Sequence, residues 1–142
     1  MITGTSDAAR YRVIVSNGTH EIPVDTTSDK GGAGSPLGPH ELLEAALASC
    51  LRITIRKYAD FKGIPLTNVT SKVTLDRSQD GQSVFRYSYS FDGDLTDQQR
   101  EGVHRIATAC PVQKTLSNAV SFMCENKYSD SCCRGNITDS GP

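Results

Sequence analysis

An excess of charge of either sign is missing from this chain. The net charge is −1 over 142 residues, and no long block of like charges occurs. Electrostatic capture by nucleic acid or by an anionic membrane is therefore not expected. The stretch Met1-Ile2-Thr3-Gly4-Thr5-Ser6-Asp7 lacks the basic flank and apolar core of a secretory signal. No apolar run approaches the roughly 18 residues of a membrane span. A cytoplasmic location without membrane partners is the expectation. Internal repeats are absent too, and 142 residues correspond to one domain. The five cysteines are odd in number and come without a secretory signal, which argues against a disulfide framework. Cys132 and Cys133 are adjacent, and His20, His40 and His104 lie far apart, so no zinc-ligand spacing arises and no metal is expected.

What is present alternates between strand and helix signals. Tyr11–Ser16 has strand character, Asn17-Gly18 suits a turn, and Thr19–Val24 returns as a second strand, with Pro23 restricting it to an edge or an end. Residues 25–38 form a loop whose Gly31-Gly32-Ala33-Gly34 run matches neither a dinucleotide-binding fingerprint nor a Walker motif. Gly38 as N-cap, Pro39 at the first position, Glu41 reaching back and Gly63 as terminator predict one helix over Pro39–Lys62, about 36 Å long. Leu43, Leu47, Cys50, Thr54 and Tyr58 share one face, with Leu42, Ala46, Ile53 and Lys57 on a neighbouring one. Between positions 42 and 55 only Glu44 and Arg52 are charged, so most of this helix needs cover, which a second subunit would help to supply.

Downstream, Val69–Leu75 and Ser83–Phe91 alternate as strands around Gln79-Asp80-Gly81-Gln82. Phe85, Tyr87, Tyr89 and Phe91 fall on one face as core, with no interleaved basic patch to make a nucleic-acid platform. Thr96-Asp97-Gln98-Gln99 is a capping box for a helix to about Ala109. Pro111 interrupts it, a short helix runs over Val112–Asn118, and a strand is expected from Ala119 to about Glu125. The expected domain covers 1–126, with a polar, disordered tail over 127–142 that carries Cys132 and Cys133.

Two thiols have unlike settings. Cys50 sits in the apolar run Leu42–Leu51, and Cys110 directly precedes Pro111 at the helix break. Taken singly, a cysteine in either setting is more often an idle core thiol than a catalyst.

Taken together, Gly38-Pro39-His40-Glu41-Leu42-Leu43-Glu44-Ala45-Ala46-Leu47-Ala48-Ser49-Cys50 and Cys110-Pro111-Val112-Gln113-Lys114-Thr115-Leu116-Ser117 resemble the OsmC/Ohr family of thiol-dependent proteins. The order of elements over roughly residues 10–125 agrees. The resemblance implies an α+β fold: an intertwined homodimer in which two long central helices pack against bent antiparallel sheets, with active sites at the subunit interface. It further implies reduction of organic hydroperoxides to alcohols. Cys50 would be the attacking and Cys110 the resolving cysteine, and a dithiol such as a reduced lipoyl group would restore them, with no cofactor required. The thiolate is the attacking form. The resulting sulfenic acid condenses with a second thiol, and dithiol exchange reopens the disulfide. Apolar walls from Leu43, Leu47 and Pro111 would favour an organic over an inorganic peroxide.

Burial alone would raise the pKa of Cys50, so the site needs a cation or a hydrogen-bond donor. The peroxidase branch carries a glutamate ten residues before the attacking cysteine, where this chain has His40, and a loop arginine, whereas no arginine occurs between Arg12 and Arg52. Candidates to stabilise the thiolate are His40, Lys30 and Glu41, although Lys30 lacks the bidentate fork of arginine. Asp29-Lys30-Gly31-Gly32 is closer to general OsmC-like members than to the peroxidases. Two other readings therefore stand: a thiol redox sensor or other thiol enzyme, and an apolar-ligand-binding protein with idle cysteines. Glu44 is expected to face a partner subunit or the pocket. Arg52 and Arg56 are expected to pair with Glu44 or another acid.

Overall fold

Local capping chemistry sets where the long helix begins and ends. In the computed structural model, which describes residues 1–125, α1 spans Pro39–Lys62, with the Glu41 carboxylate accepting the Gly38 backbone N–H at 2.6 Å. Gly38 has no side chain to reciprocate, so this is half of a capping box. Gly63 ends α1 in the left-handed region at φ 62°, a conformation that costs glycine nothing.

Before α1, β1 (Thr3–Ser6), β2 (Val13–Ser16) and β3 (Glu21–Val24) form an antiparallel sheet in that order. Asn17 shapes the β2–β3 turn, its side-chain oxygen accepting from the Thr19 and His20 amides at 2.9 and 2.8 Å. The turn takes in Thr19 and His20, so β3 starts two residues later than expected. Pro23 sits on the edge strand, where a missing N–H is harmless. The strand β1 was not foreseen. Its Thr-Gly-Thr-Ser sequence is exposed throughout and is held by the ladder to β2, with Thr3 and Thr5 hydroxyls donating to the Ser16 and Ile14 carbonyls.

The loop from β3 to α1 is pinned by Asp25, the one buried charged residue among those described. Its carboxylate accepts the Thr26 and Ala33 amides at 2.7 and 2.9 Å. Gly32 lies so close that a Cβ there would stand 2.2 Å from the Thr26 carbonyl oxygen, so only glycine fits.

After α1, β4 (Leu66–Gln79) and β5 (Gln82–Gly93) form a long antiparallel hairpin. Then come α2 (Asp97–Ala107), opened by a complete Thr96–Gln99 capping box, and α3 (Pro111–Ser117). One core cluster joins Ile55, Ala59, Ile64, Leu66, Val69 and Val103, backed by Tyr89 and Phe91. The second joins Leu47, Leu51 and Cys110, backed by Cys50, Val73, Phe85, Tyr87 and Val112. The four aromatics of β5 thus serve as core, as their alternation predicts.

On α1 the deepest line is Leu47, Leu51, Ile55 and Ala59, one residue every fourth position. The hairpin, α2 and Cys110 cover this line, while Leu43 and Ile53 remain 42% and 57% exposed. Within one chain the helix is thus only partly enclosed.

One expectation is corrected here. Residues 119–125 form no strand: Val120, Phe122 and Met123 are exposed, and among the described residues neither sheet pairs with them. The Glu44 carboxylate accepts the Leu75 amide of β4 at 2.6 Å. The Ser71 hydroxyl on the Ala48 carbonyl and the Arg56 guanidinium on the Leu66 carbonyl join the same helix and strand. Arg56 also pairs with Asp60 at 2.8 Å. Replacing Glu44 by alanine strands the Leu75 N–H. The expected cost is about 1–3 kcal/mol of unfolding free energy, measurable as a lower urea midpoint, with Glu44→Gln losing less. The tail from 127 onward, with Cys132 and Cys133, lies outside the described residues.

Candidate thiol site

Cys50 comes from the middle of α1, and Cys110 caps the start of α3. Pro111 lacks an N–H and has a helix-ready φ, so it breaks the path from α2 and starts a new helix there. This break turns Cys110 inward. Its side chain is fully buried, packed with Leu47 and Leu51 and against Cys50. Both are thiols, not a disulfide.

Their surroundings push the two sulfurs apart in acidity. Burial raises the pKa of Cys50, and this is the largest single influence. The Val112 backbone N–H, the Cys110 thiol and the Thr54 hydroxyl all donate to it, and together they hold it below an ordinary thiol. Cys110 is pushed up, first by burial, then by donating its proton to Cys50 and by the neighbouring thiolate charge. A thiol eased toward ionisation beside one that holds its proton is the arrangement that nucleophilic sulfur chemistry needs. Alkylation follows from this. At neutral pH Cys50 is expected to react with iodoacetamide about tenfold faster than Cys110 or more, with its rate rising at a pH below that of free cysteine. Peptide mapping by mass spectrometry reads both rates.

A cleft of about 310 Å³, lined by Leu47, Ser83, Val84, Phe85, Tyr87, Gln113, Leu116 and Ser117, shares Leu47, Phe85 and Tyr87 with the packing around the pair, although neither cysteine lines it. Leu47 is thus a wall of both the thiol cluster and the cleft, whereas Leu43 and Pro111 are exposed and do not line it. The Tyr87 hydroxyl and the Gln113 side-chain oxygen stand 3.5 Å apart across it.

The structure brings Cys50, Cys110 and Leu47 together and leaves the other candidates apart. Glu41 is engaged at the helix cap. His40 and Lys30 are exposed, and neither is among the groups that shift Cys50. Ten residues of α1 put His40 about 15 Å along the axis from Cys50. Arg52 lines a separate cleft with Ile53, Arg56 and Lys57. Thr54, one helical turn past Cys50, was legible as a same-face residue. The Val112 N–H, Tyr87 and Gln113 were not, because only the folded chain brings β5 and α3 to the helix.

Among the described residues there is no cluster of potential metal ligands, and no helix is long and apolar enough to cross a membrane. The family model described as OsmC-like protein matches residues 32–125. The chain belongs to the OsmC-like family. Solved structures agree in fold. A Psychrobacter arcticus protein, named for an osmotic stress induced and detoxification response, is 25% identical, with a TM-score of 0.69 over 80% of this chain and 85% of its own. A Legionella pneumophila organic hydroperoxide resistance protein OsmC is 21% identical, with a TM-score of 0.59 over 83% and 90%. A Mycoplasma pneumoniae OsmC-like protein is 20% identical, with a TM-score of 0.68 over 84% and 87%. No curated protein matches the sequence. The α+β architecture expected of an OsmC-like chain is the one observed.

Proposed function

We propose that this protein is a thiol peroxidase that reduces organic hydroperoxides. The observation that carries the reading is the pairing of a stabilised Cys50 with a buried Cys110 beside an apolar cleft. The Cys50 thiolate attacks the distal oxygen of the peroxide. The O–O bond breaks, an alcohol leaves, and Cys50 becomes a sulfenic acid. Sulfur of Cys110 then displaces that oxygen, which departs as water, and forms a Cys50–Cys110 disulfide. A dithiol reductant reopens it by exchange and is itself oxidised. The name of the Legionella relative, an organic hydroperoxide resistance protein, supports the same chemistry.

The working unit in this proposal is a homodimer in a reducing compartment. Exposed Leu43 and Ile53 on α1, with Val120 and Phe122 beyond α3, are the surfaces a second copy would cover. Within one subunit His40 and Lys30 stay clear of Cys50, so any help they give the thiolate crosses the interface. Glu41, committed to the helix cap, is left out of the proposed chemistry.

The test is turnover of cumene hydroperoxide with reduced lipoamide, followed by alcohol release. Steady turnover, well above that with hydrogen peroxide, is the expected result. The absence of a glutamate at position 40 and of a loop arginine favours one second reading, a redox sensor. A sensor would give Cys50 oxidation with negligible turnover.

A further inference from the structure

We propose that Cys110 acts before it resolves: its thiol supplies the proton that the departing alkoxide takes when the O–O bond breaks. The inference rests on the peroxidase reading above and assigns a general acid to that site. Breaking the O–O bond creates an alkoxide, a much stronger base than a thiolate, and a nearby acid lowers the barrier to its departure. Cys110 is fully buried, so bulk water does not reach its sulfur, and it packs directly with Cys50. The side chains packed around the pair are Leu47, Leu51, Val73, Phe85, Tyr87 and Val112. Tyr87 is the other titratable group in this shell, and its hydroxyl is directed to Gln113 across the cleft. Among the described residues the charge acting on Cys110 is that of Cys50 itself.

The step balances. The Cys50 thiolate, the peroxide and the Cys110 thiol give the Cys50 sulfenic acid, the alcohol and the Cys110 thiolate. Two electrons pass from the Cys50 sulfur to the peroxide, and the proton passes from Cys110 to the leaving oxygen. The resolving cysteine thereby becomes nucleophilic only after Cys50 has been oxidised. The Cys110 thiolate then attacks the sulfenic sulfur, and hydroxide leaves to take a proton from solvent. The raised pKa of Cys110 is consistent with this order, because it keeps the proton in place until it is needed.

Single-turnover formation of the sulfenic acid, followed by stopped-flow trapping with a dimedone-type probe across pH, tests the proposal. For the native dimer the first step is expected to be bell-shaped in pH. It rises below the free-thiol range as Cys50 ionises and falls above that range as Cys110 loses its proton. Cys110→Ala should slow this step about 10²-fold at the pH where Cys50 is fully ionised, and should remove the high-pH fall. Cys110→Ser, nearly isosteric and a weak donor, should lie between the two. An unchanged plateau rate with an unchanged high-pH fall in Cys110→Ala would overturn the acid role and leave Cys110 as a resolving thiol only. If the native protein forms no sulfenic acid with any organic peroxide, the peroxidase reading itself fails, and the acid role fails with it.

Discussion

Cys50→Ser is expected to lower hydroperoxide turnover by about 10⁴-fold or more, because a serine hydroxyl at neutral pH is not ionised and does not attack a peroxide oxygen. The fold should survive, since Cys50 is only half-buried and serine is slightly smaller. An unchanged circular dichroism spectrum and urea midpoint would establish that. Cys110→Ser has a different signature. The first peroxide is still consumed, one per subunit, and turnover then stalls, because no internal thiol can close the disulfide. Excess small dithiol should restore part of the steady rate by attacking the sulfenic acid directly. A burst of one equivalent in Cys110→Ser and none in Cys50→Ser separates attacker from resolver. Equal residual rates in both variants would mean that the two cysteines do not have distinct roles.

The second large effect is expected at Ile53. This side chain is more than half exposed in a single chain, at the cleft that α1 forms with Thr67, Asn68 and Val69 of β4. In the proposed homodimer it becomes buried against the second copy. Ile53→Lys would then add an uncompensated cation beside Arg52, Arg56 and Lys57 at that contact, at a cost of about 3–5 kcal/mol. That corresponds to a weakening of association by more than about 100-fold. Sedimentation should show dimers for the native chain and monomers for the variant at micromolar concentration, with peroxidase activity falling in step. A native chain that sediments as a monomer, or a variant that remains a fully active dimer, would contradict the proposed working unit.

Features written in short stretches of sequence were the ones most readily read. The bounds of α1 follow from Gly38, Pro39, Glu41 and Gly63, each acting on its own neighbours, and the Thr96–Gln99 box is equally local. The β4–β5 hairpin announced itself through period-two alternation. The strand β1 gave no such signal, since Thr-Gly-Thr-Ser holds its place through backbone pairing alone. Residues 119–125 gave a false one. Apolar side chains at 120 and 122 alternate like a strand, but a strand also needs a partner to pair with, and among the described residues neither sheet pairs with this segment. The bond that Glu44 makes was hidden for a related reason: the Leu75 amide it satisfies belongs to β4, thirty-one residues away. For the thiols, residue type and family motif pointed to Cys50 and Cys110. The groups that set their acidity are a backbone N–H of α3, a hydroxyl one turn along α1 and the two sulfurs themselves, and they meet only in the folded chain.

Mass spectrometry of the reduced protein after one equivalent of cumene hydroperoxide tests the central claim most directly. The mass should fall by two hydrogens, and a single cross-linked peptide pair should join Cys50 to Cys110. Unchanged mass, or oxidation that leaves both of these thiols open to alkylation, would contradict it.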